Sequence, residues 1–148
     1  MSVRVQEAEF DPGAEVSSFC TGRTDIGAVV TFTGIVRDVT DSLNCMRIEH
    51  YPGMTEAALK KIESEAVERW NLGDSLIIHR FGDMKPGDLI MMVATAAPHR
   101  GDAFAAAEFL MDYLKSRAPF WKKEITPSGE TWVDAKDEDE AALSRWSS

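Results

Sequence analysis

Residues 75–97, SLIIHRFGDMKPGDLIMMVATAA, decide the fold class of this chain. They contain two apolar runs, 75–81 and 89–97, each with the length and composition of a β-strand. The connection between the runs passes through Lys85-Pro86-Gly87-Asp88, a combination that is typical of a turn. Parallel neighbours need a crossover of about a dozen residues or more. We therefore expect the two strands to pair in an antiparallel sheet.

Further strands are predicted on both sides of this segment. The stretch GAVVTFTGIV at 27–36 is rich in β-branched residues and is expected to form a central strand. Phe32 within it is expected to lie in the core. The other expected strands are an edge strand at 3–10, a strand at 45–51, and a hairpin formed by 120–126 and 130–135.

Helices are predicted between the strands. Asp11-Pro12 supplies an N-cap and a first helical residue for a short helix that ends near Gly22. Helical spacing of apolar residues predicts two longer helices, at 55–70 and 99–117, and an acidic start predicts a last one at 137–146. Strands and helices mixed in this way indicate an α+β fold, and the length suits one domain spanning residues 1–148.

Composition and charge exclude several classes of protein. Sixteen basic against 25 acidic side chains give a net charge of −9, which disfavours binding to nucleic acid. The longest nearly apolar run, 89–97, is far shorter than the roughly 20 residues of a membrane span. The charged N-terminal stretch does not have the composition of a secretory signal, so we expect a cytoplasmic location. Two cysteines, Cys20 and Cys45, are too few for a disulfide framework or a four-cysteine zinc site.

The basic residues of this acidic chain concentrate between positions 99 and 123, where five of them face only three acidic ones. Two interpretations stay open from charge alone: an anion-binding site, or an ordinary solvated helix face. His99 and Arg100 follow a strand and open a helix, where free backbone N–H groups favour a phosphate or carboxylate. A capping or surface role for His99 is the alternative.

The two lysines in this segment also have structural alternatives. Lys115 falls in the last turn of the predicted helix, where a cation stabilises the helix dipole. Lys122 shares one side of a strand with Phe120 and Glu124, so it either pairs with Glu124 in solvent or lines a cleft. Trp121 and Ile125, on the other side of that strand, are expected to be core residues. Arg37 ends an apolar strand beside a polar loop, where functional residues are common.

Five motifs appear in order along the chain. They are GAVVTFTGIVRD at 27–38, EHYPGMTE at 49–56, HRFGDMKPGD at 79–88, HRGDAF at 99–104 and DYLKSRAPFWKKE at 112–124, followed by tryptophans at 132 and 146. Together they closely resemble the large, catalytic subunit of molybdopterin synthase, from about Gly27 to Trp146. Residues 1–26 contribute little to the resemblance.

The resemblance implies a fold, an assembly and a reaction. The fold would be a hammerhead-containing α/β domain with an antiparallel sheet and hairpin additions. A central homodimer would bind two small ubiquitin-like sulfur-carrier subunits, giving a heterotetramer. The C-terminal Gly-Gly thiocarboxylate of the carrier would donate sulfur to cyclic pyranopterin monophosphate and so form the dithiolene of molybdopterin. The resemblance implies neither a metal nor a dissociable cofactor in this subunit.

The resemblance also assigns site residues by position. Lys115 and Lys122 match the catalytic lysines of the family, and His99 and Arg100 match its substrate-anion site. The remaining substrate-binding positions implied in this way are Ile35, Val36, Arg37, Lys123 and Glu124. Lys136 stands where some relatives carry an arginine, and lysine keeps the charge without the bidentate geometry. The division of labour between the two lysines stays open.

Three other functions compete with this interpretation. The first is a non-catalytic module that binds an anionic metabolite through the same cations. The second is a transferase that uses Cys20 or Cys45 as its nucleophile. The third is a structural dimer partner whose basic patch docks an acidic protein tail.

Overall fold

The computed structural model describes residues 1–38, 42–133 and 137–147. Lys136 therefore lies outside the described residues. Eight strands occur within these ranges: β1 (Ser2–Gln6), β2 (Ala28–Ile35), β3 (Cys45–His50), β4 (Asp74–Arg80), β5 (Gly82–Met84), β6 (Leu89–Ala97), β7 (Phe120–Thr126) and β8 (Gly129–Val133). The helices there are α1 (Pro12–Ser18), α2 (Met54–Trp70), α3 (Arg100–Ser116) and α4 (Asp137–Ala142), followed by a 3₁₀ turn at Leu143–Trp146.

The first sheet has the strand order β1-β4-β6-β2. The predicted antiparallel pairing of β4 with β6 is confirmed, with Ile77 opposite Val93. β1 lies at an edge as predicted, but it pairs parallel to β4, so this sheet is mixed. Parallel pairing is possible here because the connection between β1 and β4 is long. It contains α1, β2, β3 and α2. The predicted cap of α1 is also confirmed, since the Asp11 side chain accepts a hydrogen bond from Ala14 N–H at 3.2 Å.

β2 is the opposite edge of this sheet, so the prediction of a central strand is wrong. Its exposed large side chains are Val29, Phe32 and Ile35, and Phe32 is 42% exposed instead of lying in the core. β-Branched content reports how well a segment suits a strand, and it does not report whether the strand has one neighbour or two. The edge position leaves this strand's outer backbone groups without a partner strand in the described part of the chain.

The second sheet is antiparallel throughout, with the order β5-β3-β7-β8. The hairpin of β7 and β8 is confirmed, although β8 is described only as far as Val133. Trp121 on β7 is 49% exposed, so its predicted place in the core is wrong. The three-residue strand β5 was not predicted, because so short a segment shows no periodicity.

The core forms where α2 and α3 pack against the first sheet. β4 and β6 are buried on nearly every residue, and α3 contributes a continuous apolar face. The helix is fixed to the sheet by a buried hydrogen bond, since Thr95 Oγ1 donates to the Ala103 carbonyl at 2.7 Å. None of the helices in the described ranges combines the length and apolar character needed to cross a membrane.

The C-terminal segment packs on the outer side of α3. The Trp146 indole stacks edge-on against Trp70 and Phe109, and its Nε1–H donates to Asp112 at 2.7 Å. Arg145 pairs with Asp112, and Arg117 pairs with Glu140 of α4 at 2.7 Å. These contacts hold α4 beside the C-terminal end of α3.

Candidate active site

A cavity of about 700 Å³ opens between the edge strand β2, the C-terminal end of α3 and the β7–β8 hairpin. Its walls are mostly apolar and aromatic, with Phe32, Phe120, Trp121 and Trp132 among them. The volume lies within the usual range for small-molecule sites. Phe32 and Trp121, which the sequence predicted to be core residues, are exposed because they line this cavity.

Lys115 and Lys122 both line this cavity, although they come from different elements. Lys115 lies in the last turn of α3, and Lys122 is the third residue of β7. The connection between α3 and β7 runs through Ala118 and Pro119, which also line the cavity. The short turn brings the helix end and the strand together, so the sequence places both ammonium groups on one hollow. Lys115 is exposed and Lys122 is half-buried.

Ile35, Val36 and Arg37, at the end of β2, differ in their exposure and in whether they line the cavity. Ile35 lines the cavity and is 56% exposed. Val36 is buried, and its backbone is engaged within the fold: its N–H donates to the Asp88 carbonyl at 2.9 Å and its carbonyl accepts from Gly87 N–H at 2.8 Å. Arg37 is exposed and lies outside the cavity lining.

His99 and Arg100 lie at the far end of α3 from Lys115. They are exposed and border a separate shallow depression together with Gly27. Fifteen residues of helix separate Arg100 from Lys115, or about 22 Å along the axis. A single copy of the chain therefore does not bring this pair to the lysine cavity.

Lys123 and Glu124 also lie outside the cavity lining. The Lys123 ammonium is 3.2 Å from a Glu130 carboxylate oxygen and 4.2 Å from the ring centroid of Trp132, so it braces the hairpin. Glu124 is half-buried, and no described residue donates a hydrogen bond to its Oε2.

Four polar residues of the lining were missed from the sequence: Thr33, His79, Ser116 and Asp139. His79 is buried on β4, where it directly follows the apolar residues 76–78, and a histidine in so apolar a strand segment was the available signal. Burial, with help from Lys122 and Lys115, lowers the pKa of His79 to about 3. The hydroxyl of Ser116 is buried and lacks a hydrogen-bond partner among the described residues. Asp139 of α4 brings a carboxylate to the edge of the same cavity.

The described ranges contain no candidate metal site, because no three His, Cys, Asp or Glu side chains there lie close enough together to hold an ion. What the cavity offers instead is two ammonium groups against apolar and aromatic walls. Charges attract an anion more strongly in such partly dry surroundings than in water. The arrangement suits a planar, anionic reactant.

Comparison with known proteins identifies the family. The sequence family described as MoaE protein matches residues 5–117. The molybdopterin synthase catalytic subunit of Cereibacter sphaeroides is 62% identical over 146 residues, which cover 99% of this chain and 100% of that protein. Its counterpart in Ralstonia nicotianae is 57% identical, with 98% of this chain and 84% of that protein covered.

Solved structures agree with the sequence comparison. The MoaE molybdopterin biosynthesis protein from Burkholderia ambifaria superposes with a TM-score of 0.85 at 54% identity, covering 99% of this chain and 98% of that one. Molybdopterin synthase from Staphylococcus aureus gives a TM-score of 0.80 at 32% identity, covering 88% and 96%. The α+β fold is thereby confirmed, and the chain belongs to the MoaE protein family.

Proposed function

We propose that this chain is the catalytic subunit of a molybdopterin synthase. It transfers sulfur from the C-terminal thiocarboxylate of a small carrier subunit to cyclic pyranopterin monophosphate, which forms the dithiolene of molybdopterin. The observation that carries the proposal is the shared cavity of Lys115 and Lys122. The curated relatives with this name, which match nearly the whole chain, support it.

Both reactants are anions, and the cavity has the chemistry to hold them. The carrier brings a thiocarboxylate and the pterin brings a cyclic phosphate. Two ammonium groups attract these charges, and the aromatic walls accommodate a planar ring system. Because the whole chain has a net charge of −9, a pair of cations in one cavity stands out from the rest of the chain.

The two lysines are assigned different tasks from their exposure. Lys115 is exposed, so it meets the incoming carrier tail and positions the thiocarboxylate. Lys122 is half-buried on β7, two residues before Glu124. There it assists proton transfer or stabilises the intermediate that joins carrier and substrate.

His99 and Arg100 enter the proposal through a second copy of the chain. About 22 Å of helix separates them from Lys115 within one copy. A homodimer can instead place these exposed residues of one subunit at the cavity of the other, where they hold the substrate phosphate. One carrier subunit on each protomer then completes a heterotetramer.

A nucleophilic cysteine is disfavoured. Neither Cys20 nor Cys45 is among the cavity-lining residues, and burial raises the pKa of both thiols. A raised pKa reduces the thiolate fraction, which is the reactive form. A Cys20→Ser, Cys45→Ser double variant is expected to retain activity, and loss of activity in the folded variant would support the cysteine mechanism.

The test is reconstitution with a thiocarboxylated carrier and cyclic pyranopterin monophosphate, followed by detection of the dithiolene product. Lys115→Ala and Lys122→Ala are each expected to lower turnover by about 100-fold or more, as for loss of a group that positions reactants or transfers protons. Lys61→Ala, an exposed lysine on α2, is the matched control and should behave as wild type. Near-normal turnover in folded Lys115→Ala and Lys122→Ala proteins would contradict the proposal.

The competing function, a non-catalytic binding module, predicts a different result in the same assay. The wild-type chain would bind the pterin and yield no dithiolene with any thiocarboxylated carrier. A structural dimer partner would bind the carrier and likewise yield no product.

A further inference from the structure

Among the polar side chains that line the cavity and that the proposed chemistry does not use is the imidazole of His79. It lies on β4, is 5% exposed, and lines the same hollow as Lys115 and Lys122. The inference developed here rests on the proposed function, because it concerns how the pterin is held in that hollow.

The hydrogen bonding of His79 fixes its tautomer. Its Nδ1 lies 2.8 Å from the carbonyl oxygen of Arg80. A carbonyl oxygen only accepts hydrogen bonds, so Nδ1 must carry the hydrogen. In the neutral ring, Nε2 is then left with a lone pair and acts as an acceptor.

The surroundings keep this ring neutral at physiological pH. The groups that act on it are its own burial, the Arg80 carbonyl, Lys122 and Lys115 of the cavity, and His50. Burial and the two cations all disfavour a further positive charge, and they hold the pKa of His79 at about 3. The acceptor at Nε2 is therefore available throughout the neutral range.

Packing fixes the direction of the ring. His79 stacks on Phe120 with ring centroids 3.7 Å apart and planes inclined by 16°. Phe120 opens β7, the strand that carries Lys122 two residues later. Strand β7 therefore supports the His79 imidazole through Phe120 and also carries Lys122, which fixes the position of one group relative to the other.

Within the described residues, the hydrogen bond of the His79 ring is made by Nδ1. The two lysines can only donate hydrogen bonds, so they satisfy anionic parts of a ligand and leave its N–H groups without an acceptor. A reduced pterin ring is rich in N–H donors.

We infer that His79 is a substrate-binding residue whose Nε2 accepts a hydrogen bond from an N–H group of the pterin ring. The lysines hold the anionic parts of the two reactants. His79 is then the residue that distinguishes a ring bearing an N–H donor from an anion of similar size without one, because an unpaired acceptor in a buried site penalises the latter.

The direct test is ¹⁵N NMR of the chain labelled in its three histidines, titrated with cyclic pyranopterin monophosphate in the absence of carrier. The free protein should show His79 protonated at Nδ1 and unprotonated at Nε2. Saturation with the pterin should shift the Nε2 resonance of His79 in the direction of an accepted hydrogen bond. An unchanged Nε2 resonance at saturation, or a hydrogen on Nε2 in the free protein, overturns the inference.

Two variants separate hydrogen bonding from packing. His79→Phe keeps a ring against Phe120 and removes the acceptor, whereas His79→Gln places an amide oxygen near the former Nε2. We expect His79→Phe to raise the KM for the pterin about tenfold while carrier affinity stays unchanged, since one hydrogen bond to the substrate is lost. His79→Gln should recover most of this loss.

The matched control is His50→Phe. His50 contacts the same Phe120 ring, at 6.3 Å between centroids, but it borders a different surface depression. It should leave the KM for the pterin unchanged. Equal increases in KM for His79→Phe and His79→Gln, or no increase for His79→Phe, would overturn the inference.

These outcomes are distinct from failure of the proposed function. Absence of dithiolene from the wild-type assay contradicts the proposed function, while the NMR titration still reports on His79. An active wild-type enzyme with an unresponsive His79 contradicts only the inference.

Discussion

The carbonyl oxygen of Pro98 lies so close to Gly27 that a first side-chain carbon on residue 27 would overlap it, and glycine fits there because it has no such carbon. The Gly27 N–H also donates to the Ala97 carbonyl at 3.1 Å. This close approach joins the start of β2 to the junction between β6 and α3. His99 and Arg100 extend from that same junction, so the glycine supports the segment that we propose as the anion site of a second subunit.

Gly27→Ala is therefore expected to destabilise the protein. The new methyl group meets a backbone oxygen, which cannot rotate away, and overpacking of this kind costs about 1–3 kcal/mol. The free energy of unfolding, obtained from urea denaturation, should fall by that amount.

The control is Gly101→Ala, in the first turn of α3. A side-chain carbon there has no neighbour within 4 Å. Alanine should leave stability unchanged or raise it by up to about 1 kcal/mol, because it restricts the unfolded chain. Equal urea midpoints for the two variants would contradict the steric argument.

The pH dependence of stability should report on His79. Its pKa of about 3 in the folded chain lies below the ordinary 6.5. Between these values the unfolded chain binds a proton that the folded chain does not, so stability is complete above about pH 6.5 and is lost as the pH falls toward 3. The loss is roughly 1.4 kcal/mol per pH unit.

The check is the slope of unfolding free energy against pH, compared between wild type and two variants. His79→Gln removes the titrating group, so its slope should be shallower. Glu63→Gln should make the slope steeper. Burial raises the pKa of Glu63, so the folded chain binds this proton at a higher pH than the unfolded chain does, and the wild-type carboxyl opposes the effect of His79. Parallel profiles for wild type and His79→Gln would show that the imidazole is not held neutral by the fold.

Much of the fold could be predicted because its signals are local. The antiparallel β4–β6 pair follows from two apolar runs and a short connection, and the cap of α1 follows from Asp11 and Pro12. Position within a sheet is not a local property. Phe32 and Trp121 were wrongly predicted to be core residues. An apolar side chain is buried only where another element covers it, and both side chains face the open cavity.

The candidate site was predicted only in part for a similar reason. The family resemblance supplied Lys115 and Lys122, and one short turn brings them together. The helix predicted at 99–117 sets His99 and Arg100 at the opposite end from Lys115, and the structure confirms this. The resemblance nevertheless assigns all three residues to one site, because motif order carries no distances. His79 was missed because a histidine in a strand has chemical meaning only once its tautomer and its neighbours are known.

Arg80 provides a test of how β1 is held to the sheet. Its buried guanidinium donates from Nε and Nη2 to the Glu7 carbonyl, at 3.1 and 3.0 Å, and from Nη1 to the Leu89 carbonyl at 3.1 Å. Arg80→Lys keeps the charge but loses the fork, so it should lower the free energy of unfolding by about 2–4 kcal/mol.

Arg47→Lys is the matched control for this substitution. Arg47 also makes a two-pronged contact, with Asp83, but that pair is exposed. Its replacement should cost about 0–1 kcal/mol in the same urea experiment. A cost for Arg80→Lys no greater than that for Arg47→Lys would mean that the buried fork does not secure β1.

Asp139 sets the charge balance of the cavity from the side of α4. Its carboxylate borders the hollow that contains Lys115 and Lys122, so it competes with the anionic substrate for their field. Asp139→Asn should lower the KM for cyclic pyranopterin monophosphate roughly two- to fivefold at low salt, with a smaller gain at high salt because the interaction is screened. Glu140→Gln is the control, since Glu140 pairs with Arg117 and is not part of the lining. If the two variants change KM equally, the effect comes from net charge, and Asp139 has no particular influence on the cavity.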